Sequence, residues 1–186
     1  GKFRRLIALS LYDLSLFSNQ KTEFFLNQLL LFANFMENFR AILIKIYQQT
    51  NEYGKANGME LIKFEADEIV YKMVLQKQHL ATPTTAHGGI IAGYMDGVLG
   101  LAALYASSEN ANLVSTVEFK INYLSPVKLG DVLIGKGKVI SNGKRIIIAQ
   151  GEISNEKTGD LVAVATGTFN AYPYQKSGMT AEGFGI

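Results

Sequence analysis

The hydrophobic and polar positions of this 186-residue chain change their period near residue 58. Residues 21–53 contain neither proline nor glycine and are rich in Leu, Phe and Ile, with polar residues recurring between them. This pattern predicts one or two helices, which NEYGKANG (51–58) ends with turn residues. Because they are more apolar than an isolated surface helix, they must cover either the domain's own sheet or a partner chain.

Alternation of period two dominates the rest of the chain, apart from one long apolar segment predicted as a central helix at about 87–105. Residues 59–75 alternate in two runs around Ala66-Asp67-Glu68, which predicts a hairpin or a bent strand. Asn142-Gly143 predicts a tight hairpin turn. Four further strands are predicted, at 113–124, 131–141, 144–154 and 160–171. Since β-α-β alternation is absent, we expect an α+β fold with an antiparallel sheet against a helix.

The composition narrows the class of protein. Hydrophobic residues make up 48% and charged residues 18%, as in a globular domain. Eighteen Lys and Arg against 16 Asp and Glu give a net charge of +2, which predicts no nucleic-acid partner. With no cysteine and only two histidines, we expect no disulfide and no metal ion.

Two N-terminal apolar stretches share features with targeting or membrane segments. Residues 2–18 begin with basic residues like a signal peptide, but Asp13 interrupts the apolar part and no cleavage motif follows. Residues 24–39 carry too many polar side chains for a membrane span. We therefore expect no stable membrane insertion, and the absence of cysteine favours a cytoplasmic protein.

The predicted central helix contains one carboxylate, Asp96, within AHGGIIAGYMDGVLGLAAL (86–104). An unpaired buried carboxylate is costly, so Asp96 is either a satisfied structural residue or a functional one. Gly88 and Gly89 open the helix, where free N–H groups and the helix dipole can polarise a substrate carbonyl. The alternative for this glycine pair is an ordinary turn from loop to helix.

Helical geometry constrains how these groups can combine. Asp96 follows His87 by nine residues, which places it about 180° around the helix and about 13.5 Å along its axis. If both ends of this segment serve one small substrate, two copies of the helix must contribute, as in a dimer with shared sites. Gly89, Gly93 and Gly97 share one helix face, and we expect them to allow tight packing into a strongly curved sheet.

The motif HGGIIAGYMD resembles the hotdog-fold acyl-CoA thioesterases of the PaaI-like, THEM-like group of the thioesterase superfamily. TVEFKINYLSPVKLGD (116–131) and residues 137–169 are similar to the strands that follow in that group. The resemblance covers about residues 58–172 and implies an antiparallel sheet wrapped around a central long helix. The domains expected are an N-terminal helical extension, a hotdog thioesterase domain and a C-terminal tail, at 1–56, 57–173 and 174–186.

The resemblance also implies roles for residues in an acyl-CoA thioester hydrolase without a cofactor. The Gly88 and Gly89 amides are expected to polarise the thioester carbonyl, and Asp96 from the other subunit is the general base or nucleophile. Thr116 orients water or the aspartate. The implied partners are the acyl-CoA substrate and a second copy of the chain, in a homodimer that forms a dimer of dimers.

Three further residues are expected to contact the substrate. His87 fixes the loop before the helix beside the substrate, and Tyr94 and Met95 suggest an apolar acyl pocket. One departure concerns Ala81, because many relatives carry Asn or Gln there as a carbonyl contact; a nearby threonine, Thr82, Thr84 or Thr85, is a substitute.

Two rival functions remain open. A non-catalytic acyl-CoA-binding hotdog module would keep the pocket without needing Asp96. A hotdog dehydratase or hydratase would want a His–Asp pair as acid and base, and His87 and Asp96 of one chain are badly placed for that.

Overall fold

The computed structural model describes residues 19–66 and 68–178. The chain divides into two compact units, residues 1–39 and 40–186, and helix α1 (Asn19–Thr50) contains the boundary. This helix, followed by α2 (Glu52–Ala56), confirms the helices predicted over 21–53. The stretch that resembles a signal peptide lies outside the described residues.

The second unit is built on six antiparallel strands and one long helix, which confirms the α+β class. The elements after α2 are β1 (Met59–Phe64), β2 (Ile69–Val74), α3 (Gly88–Ser108), β3 (Asn112–Tyr123), β4 (Val132–Asn142), β5 (Ile146–Asn155) and β6 (Leu161–Pro173). The strand order in the sheet is β1-β2-β4-β5-β6-β3. Each of the last four strands begins and ends within two residues of its predicted bounds.

Helix α3 is the centre of the hydrophobic core, where the sheet packs along it. Met95, Val98 and Leu99 are completely buried there among side chains of β4, β5 and β6. Among the described helices, α3 is long and apolar enough to cross a membrane by length and composition. Burial against the sheet accounts for that composition, because a helix covered on most of its faces needs few polar positions.

The hairpin between β4 and β5 differs from the predicted Asn142-Gly143 turn. Asn142 still pairs with Ile147, and Gly143 N–H donates to the carbonyl of Ile146, so Lys144 and Arg145 form the turn. A Cβ at position 143 would lie 2.6 Å from the carbonyl oxygen of Ile146. Glycine is therefore needed for close backbone approach, and the turn lies two residues later than predicted.

The C-terminal part of α1 packs against the core of the second unit through Ile44 and Tyr47. Arg40 anchors it to the end of α3: its Nε donates to Ser108 Oγ at 2.9 Å, and its guanidinium lies 4.5 Å from the ring centroid of Tyr105. Of the two alternatives left open by the sequence, residues 40–50 therefore cover the domain's own core.

Strand β3 lies at one edge of the sheet, with β6 as its neighbour on one side. Its pairing with β6 is interrupted by a bulge between Thr116 and Glu118, and Val117 within the bulge is 58% exposed. An edge strand leaves a row of backbone donors and acceptors without partners in the sheet. This edge passes beside the carboxylate of Asp96 on α3.

Candidate active site

Asp96 is held by a hydrogen bond from the edge strand of its own chain. Thr116 Oγ1 donates to Asp96 Oδ1 at 2.9 Å. The aspartate side chain is half-buried and lies on the side of α3 that the sheet leaves open. This bond fixes one carboxylate oxygen and leaves Oδ2 as the atom able to accept a proton or bind a further donor.

The Asp96–Thr116 pair lies in a cleft of about 570 Å³. Helix α3 forms its floor, and the walls come from β3 and β6 on one side and from residues 43–53 on the other. Apart from the pair, the walls are largely apolar. The apolar lining includes Leu43, Ile46, Met59, Leu101, Leu104, Leu113, Val114 and Phe169.

Gly93 and Gly97 of α3 make room for aromatic side chains. A Cβ at Gly93 would lie 2.0 Å from the hydroxyl of Tyr53, and one at Gly97 would lie 3.1 Å from the ring of Tyr71. Tyr53 belongs to α2, so the expected packing of this glycine face into a curved sheet is wrong at Gly93. Only at Gly97 does the close neighbour come from a strand, β2.

The two glycines that open α3 differ in function. His87 is the N-cap residue, and its Nδ1 accepts the Gly89 N–H at 2.8 Å. A Cβ at Gly89 would lie 2.8 Å from that Nδ1, so glycine makes room for the cap. In this chain the Gly89 N–H is engaged by His87 Nδ1, so its role as a second donor to a substrate stays a prediction, and His87 caps the helix terminus.

Gly88 remains as the donor at the helix start. In the part of the chain that the structure describes, its N–H has no hydrogen-bond acceptor, while its carbonyl accepts from the Tyr123 hydroxyl at 3.1 Å. Gly88 is exposed, in a second depression that Tyr123, Pro126 and Val127 also line. A free N–H at the positive end of a helix is suited to a carbonyl oxygen that becomes negative.

Hydrogen bonds hold the loop before α3 in place. His87 N–H donates to the carbonyl of His79, and Gln76 N–H donates to His79 Nδ1 at 3.1 Å. Thr82 and Thr85 share a hydrogen bond between their hydroxyls at 2.5 Å. Those two hydroxyls are therefore engaged within the loop, which leaves Thr84 as the more available substitute for the Asn or Gln found in relatives.

Tyr94 and Met95 do not line either depression. Both are completely buried on the sheet side of α3. The Tyr94 hydroxyl accepts the Gly135 N–H at 2.9 Å and donates to the Tyr71 carbonyl, which ties the helix to β2 and β4. A substrate can reach these side chains only if the core opens, so their role in substrate binding stays a prediction that their burial does not support.

Tyr47, which the sequence did not single out, lies close to Asp96, and Tyr71 lies next to Tyr47. Burial strongly raises the pKa of Tyr47, and the adjacent Tyr71 and the negative charge of Asp96 raise it further. Burial also raises the pKa of Tyr71, whose hydroxyl faces Asn51 Nδ2 at 3.4 Å. Both phenols stay protonated near neutral pH. No motif marks Tyr47, because its approach to Asp96 depends on how α1 folds back.

Asp96 and Gly88 of one chain line different depressions. They are separated by eight residues of one helix, or about 12 Å along its axis. One small reacting group therefore cannot contact both within a single chain. Among the described residues, no three His, Cys, Asp or Glu side chains are grouped to hold a metal ion.

The fold belongs to the hotdog class, in which an antiparallel sheet wraps one long helix. The solved structure of the E. coli PaaI protein, from the phenylacetic acid degradation operon, superposes with a TM-score of 0.63 at 23% identity. The match covers 73% of this chain and 94% of PaaI. At this identity, the likeness shows the fold alone.

Sequence comparison gives the family. A model described as the thioesterase superfamily matches residues 84–162. A Caenorhabditis elegans protein provisionally named esterase F42H10.6 is 30% identical over 131 residues, 70% of this chain and 76% of that protein. Acyl-coenzyme A thioesterase 13 of Mus musculus is 24% identical over 131 residues, 70% of this chain and 92% of the enzyme. The chain belongs to the thioesterase superfamily and is a thioester hydrolase.

Proposed function

We propose that this chain hydrolyses acyl-CoA thioesters at sites shared between two copies of itself. The observation that carries the proposal is the Asp96–Thr116 hydrogen bond of 2.9 Å at the side of an apolar cleft. The likeness to an acyl-coenzyme A thioesterase supports CoA as the thiol part of the substrate.

In the proposed reaction, the Gly88 N–H of one protomer donates to the thioester carbonyl oxygen. Asp96 of the partner subunit accepts a proton from water, and the water oxygen attacks the carbonyl carbon. The tetrahedral intermediate then collapses, the C–S bond breaks, and the thiolate of CoA takes up a proton. The products are a free carboxylic acid and CoA.

The Asp96–Thr116 bond suits Asp96 for the role of base. The Thr116 hydroxyl keeps the carboxylate in one rotamer, so Oδ2 stays directed into the cleft where a water can bind. Removing such a hydrogen bond to a charged group costs about 1.5–3 kcal/mol. Thr116 is thus a positioning residue that acts through Asp96.

The edge position of β3 supports the proposal that a second copy of the chain completes the site. Thr116 lies on this edge strand, and Val117 beside it is exposed, so a partner that adds its own β3 here would approach the Asp96 cleft. A two-fold symmetric contact of this kind presents the same strand from both protomers. It brings the helix start of one copy toward the carboxylate of the other.

The test is hydrolysis of an acyl-CoA panel, measured as release of free thiol. Asp96→Asn should lower kcat by on the order of a hundredfold or more with little change in KM, because the lost proton transfer occurs in the transition state. Thr116→Val should lower kcat by roughly tenfold or more.

Glu152→Gln is the matched control, since it neutralises an exposed carboxylate on β5, away from the cleft, and should keep full activity. Full activity of Asp96→Asn on every substrate that the unchanged chain cleaves would show that Asp96 is structural and would refute the proposal.

A further inference from the structure

The cleft continues well beyond the carboxylate. Its floor follows α3 from Gly93 to Leu104, so eight residues, or about 12 Å, of apolar groove lie past Asp96. A bilayer core about 30 Å thick holds two layers of lipid chains, so one long chain reaches about 15 Å. The groove is thus long enough for most of a straight aliphatic chain, and much longer than an acetyl group.

One wall of this groove comes from residues outside the segment that the thioesterase model matches. Leu43, Ile46 and Thr50 of α1 line the groove opposite β3, whereas the matched segment begins at residue 84. Leu43 is only 3% exposed, so this wall is held firmly against the core. The helix before the family segment therefore shapes the space available to an acyl group.

Gly100 stands out on the floor of the groove. A Cβ there would contact only the Phe169 ring, at an ordinary 3.7 Å, and Gly100 is not among the glycines with a positive φ. Glycine inside a helix is less stable than alanine. Neither backbone conformation nor a packing clash in this chain requires glycine, in contrast to Gly93. Its effect is to leave the groove open one turn, about 6 Å, beyond Asp96.

We propose that the groove is an acyl channel for straight aliphatic chains, walled by α1, in which Gly100 determines the longest chain accepted. This proposal rests on the acyl-CoA hydrolysis proposed above and adds its substrate class. The thioester carbonyl lies beside Asp96, and the chain extends along α3 past Gly100 toward Leu104. Each chain CH₂ that is buried in such a groove adds to the affinity, so a longer open groove favours longer chains.

The experiment compares the full-length chain with Gly100→Leu on acetyl-, butyryl-, octanoyl-, dodecanoyl- and palmitoyl-CoA, and on phenylacetyl-CoA as an aromatic substrate. The leucine side chain should block the channel one turn past Asp96. We expect kcat/KM for dodecanoyl-CoA to fall by roughly tenfold or more, the scale on which apolar pockets discriminate. Activity on acetyl- and butyryl-CoA should be unchanged, because these chains end before position 100.

Three further variants make the result decisive. Gly100→Ala is a graded variant: it adds only one methyl group, is sterically tolerated, and should shift the profile less than Gly100→Leu. Glu152→Gln, on β5 and away from the groove, is the control that should keep the profile of the unchanged chain. Ile46→Phe narrows the groove from the α1 wall without altering α3, and should also shift the preference toward shorter chains. If Gly100→Leu does not fold, the comparison is made with Ile46→Phe.

The possible outcomes separate the two proposals. If the unchanged chain hydrolyses acyl-CoAs but the folded variants keep its chain-length profile, the channel is overturned and the hydrolysis stands. An equal loss of kcat/KM on every chain length, or a changed oligomeric state by light scattering, would indicate that the groove forms a protein contact. Either result would overturn the channel. A better rate with phenylacetyl-CoA than with any straight chain overturns the substrate class. If the unchanged chain cleaves no acyl-CoA, the proposed function itself fails.

Discussion

The shared-site mechanism predicts that two inactive variants restore activity when they pair. Asp96→Asn removes the base, and Gly88→Val places a branched side chain in front of the free N–H at the start of α3. A Cβ at position 88 would lie 3.6 Å from the Tyr123 ring, an ordinary contact, so the second variant should still fold. Thermal melting of each variant alone checks this before mixing.

The expected recovery follows from where the two groups lie. Gly88 and Asp96 of one chain are about 12 Å apart along α3 and line different depressions. In the proposed mechanism, each site therefore takes one group from each protomer. Variants unfolded and refolded together in equal amounts should give about half hybrid dimers by random pairing. Each hybrid has one intact site and one doubly altered site. About a quarter of the unmodified activity should therefore return.

The assay is thiol release from the best acyl-CoA of the panel, with hybrid dimers quantified by native mass spectrometry. Refolding each variant with itself is the control for recovery by the procedure alone. If base and donor acted within one chain, no hybrid would contain an intact site. A mixture that stays inactive while hybrids are present would therefore refute the reasoning.

Two further predictions concern stability and assembly. Burial lowers the pKa of His79, so the folded state disfavours a proton that the unfolded chain binds near pH 6.5, and stability should fall as the pH drops below that value. Between pH 7.5 and pH 5.5, the free energy of unfolding measured in urea should fall less for His79→Asn than for the unchanged chain. The asparagine keeps an acceptor for the Gln76 N–H. An equal fall in both proteins would contradict the assignment of this pH dependence to His79. A chain beginning at Asn57 lacks the α1 wall and should lose solubility or change its oligomeric state, whereas unchanged size and stability by light scattering and melting would contradict the covering role of residues 40–50.

The period of the hydrophobic pattern was sufficient to predict the elements of this fold, because each strand keeps one face toward α3. It was not sufficient to orient α3 itself. Apolar residues surround that helix on nearly every face, so the pattern could not distinguish the side against the sheet from the side against the cleft. Tyr94 and Met95 were therefore assigned to a substrate pocket although they pack in the core.

The groups that complete the site depend on contacts between distant parts of the chain. Thr116 was identified through the family resemblance, but its bond to Asp96 depends on β3 taking the sheet edge beside β6. The approach of Tyr47 and Tyr53 depends on helices outside the motif, and no local pattern records which face of α1 meets the cleft. Gly100 can be recognised in the sequence as a glycine inside a predicted helix. Its role can be inferred only when its surroundings in the fold are known.

The glycines of α3 show why residue type alone does not define a role. Gly89 gives space to the ring that caps its own helix, and Gly93 gives space to the hydroxyl of Tyr53, so both serve the fold. Gly88 and Gly100 meet only ordinary contacts if a Cβ is added, and one lies exposed while the other lines the cleft. The proposed roles give both positions a function: the backbone N–H of Gly88 would contact the thioester carbonyl, and the open space at Gly100 would admit the acyl chain. Asp96→Asn, Gly88→Val and Gly100→Leu therefore test whether these two glycines serve the substrate and not the fold.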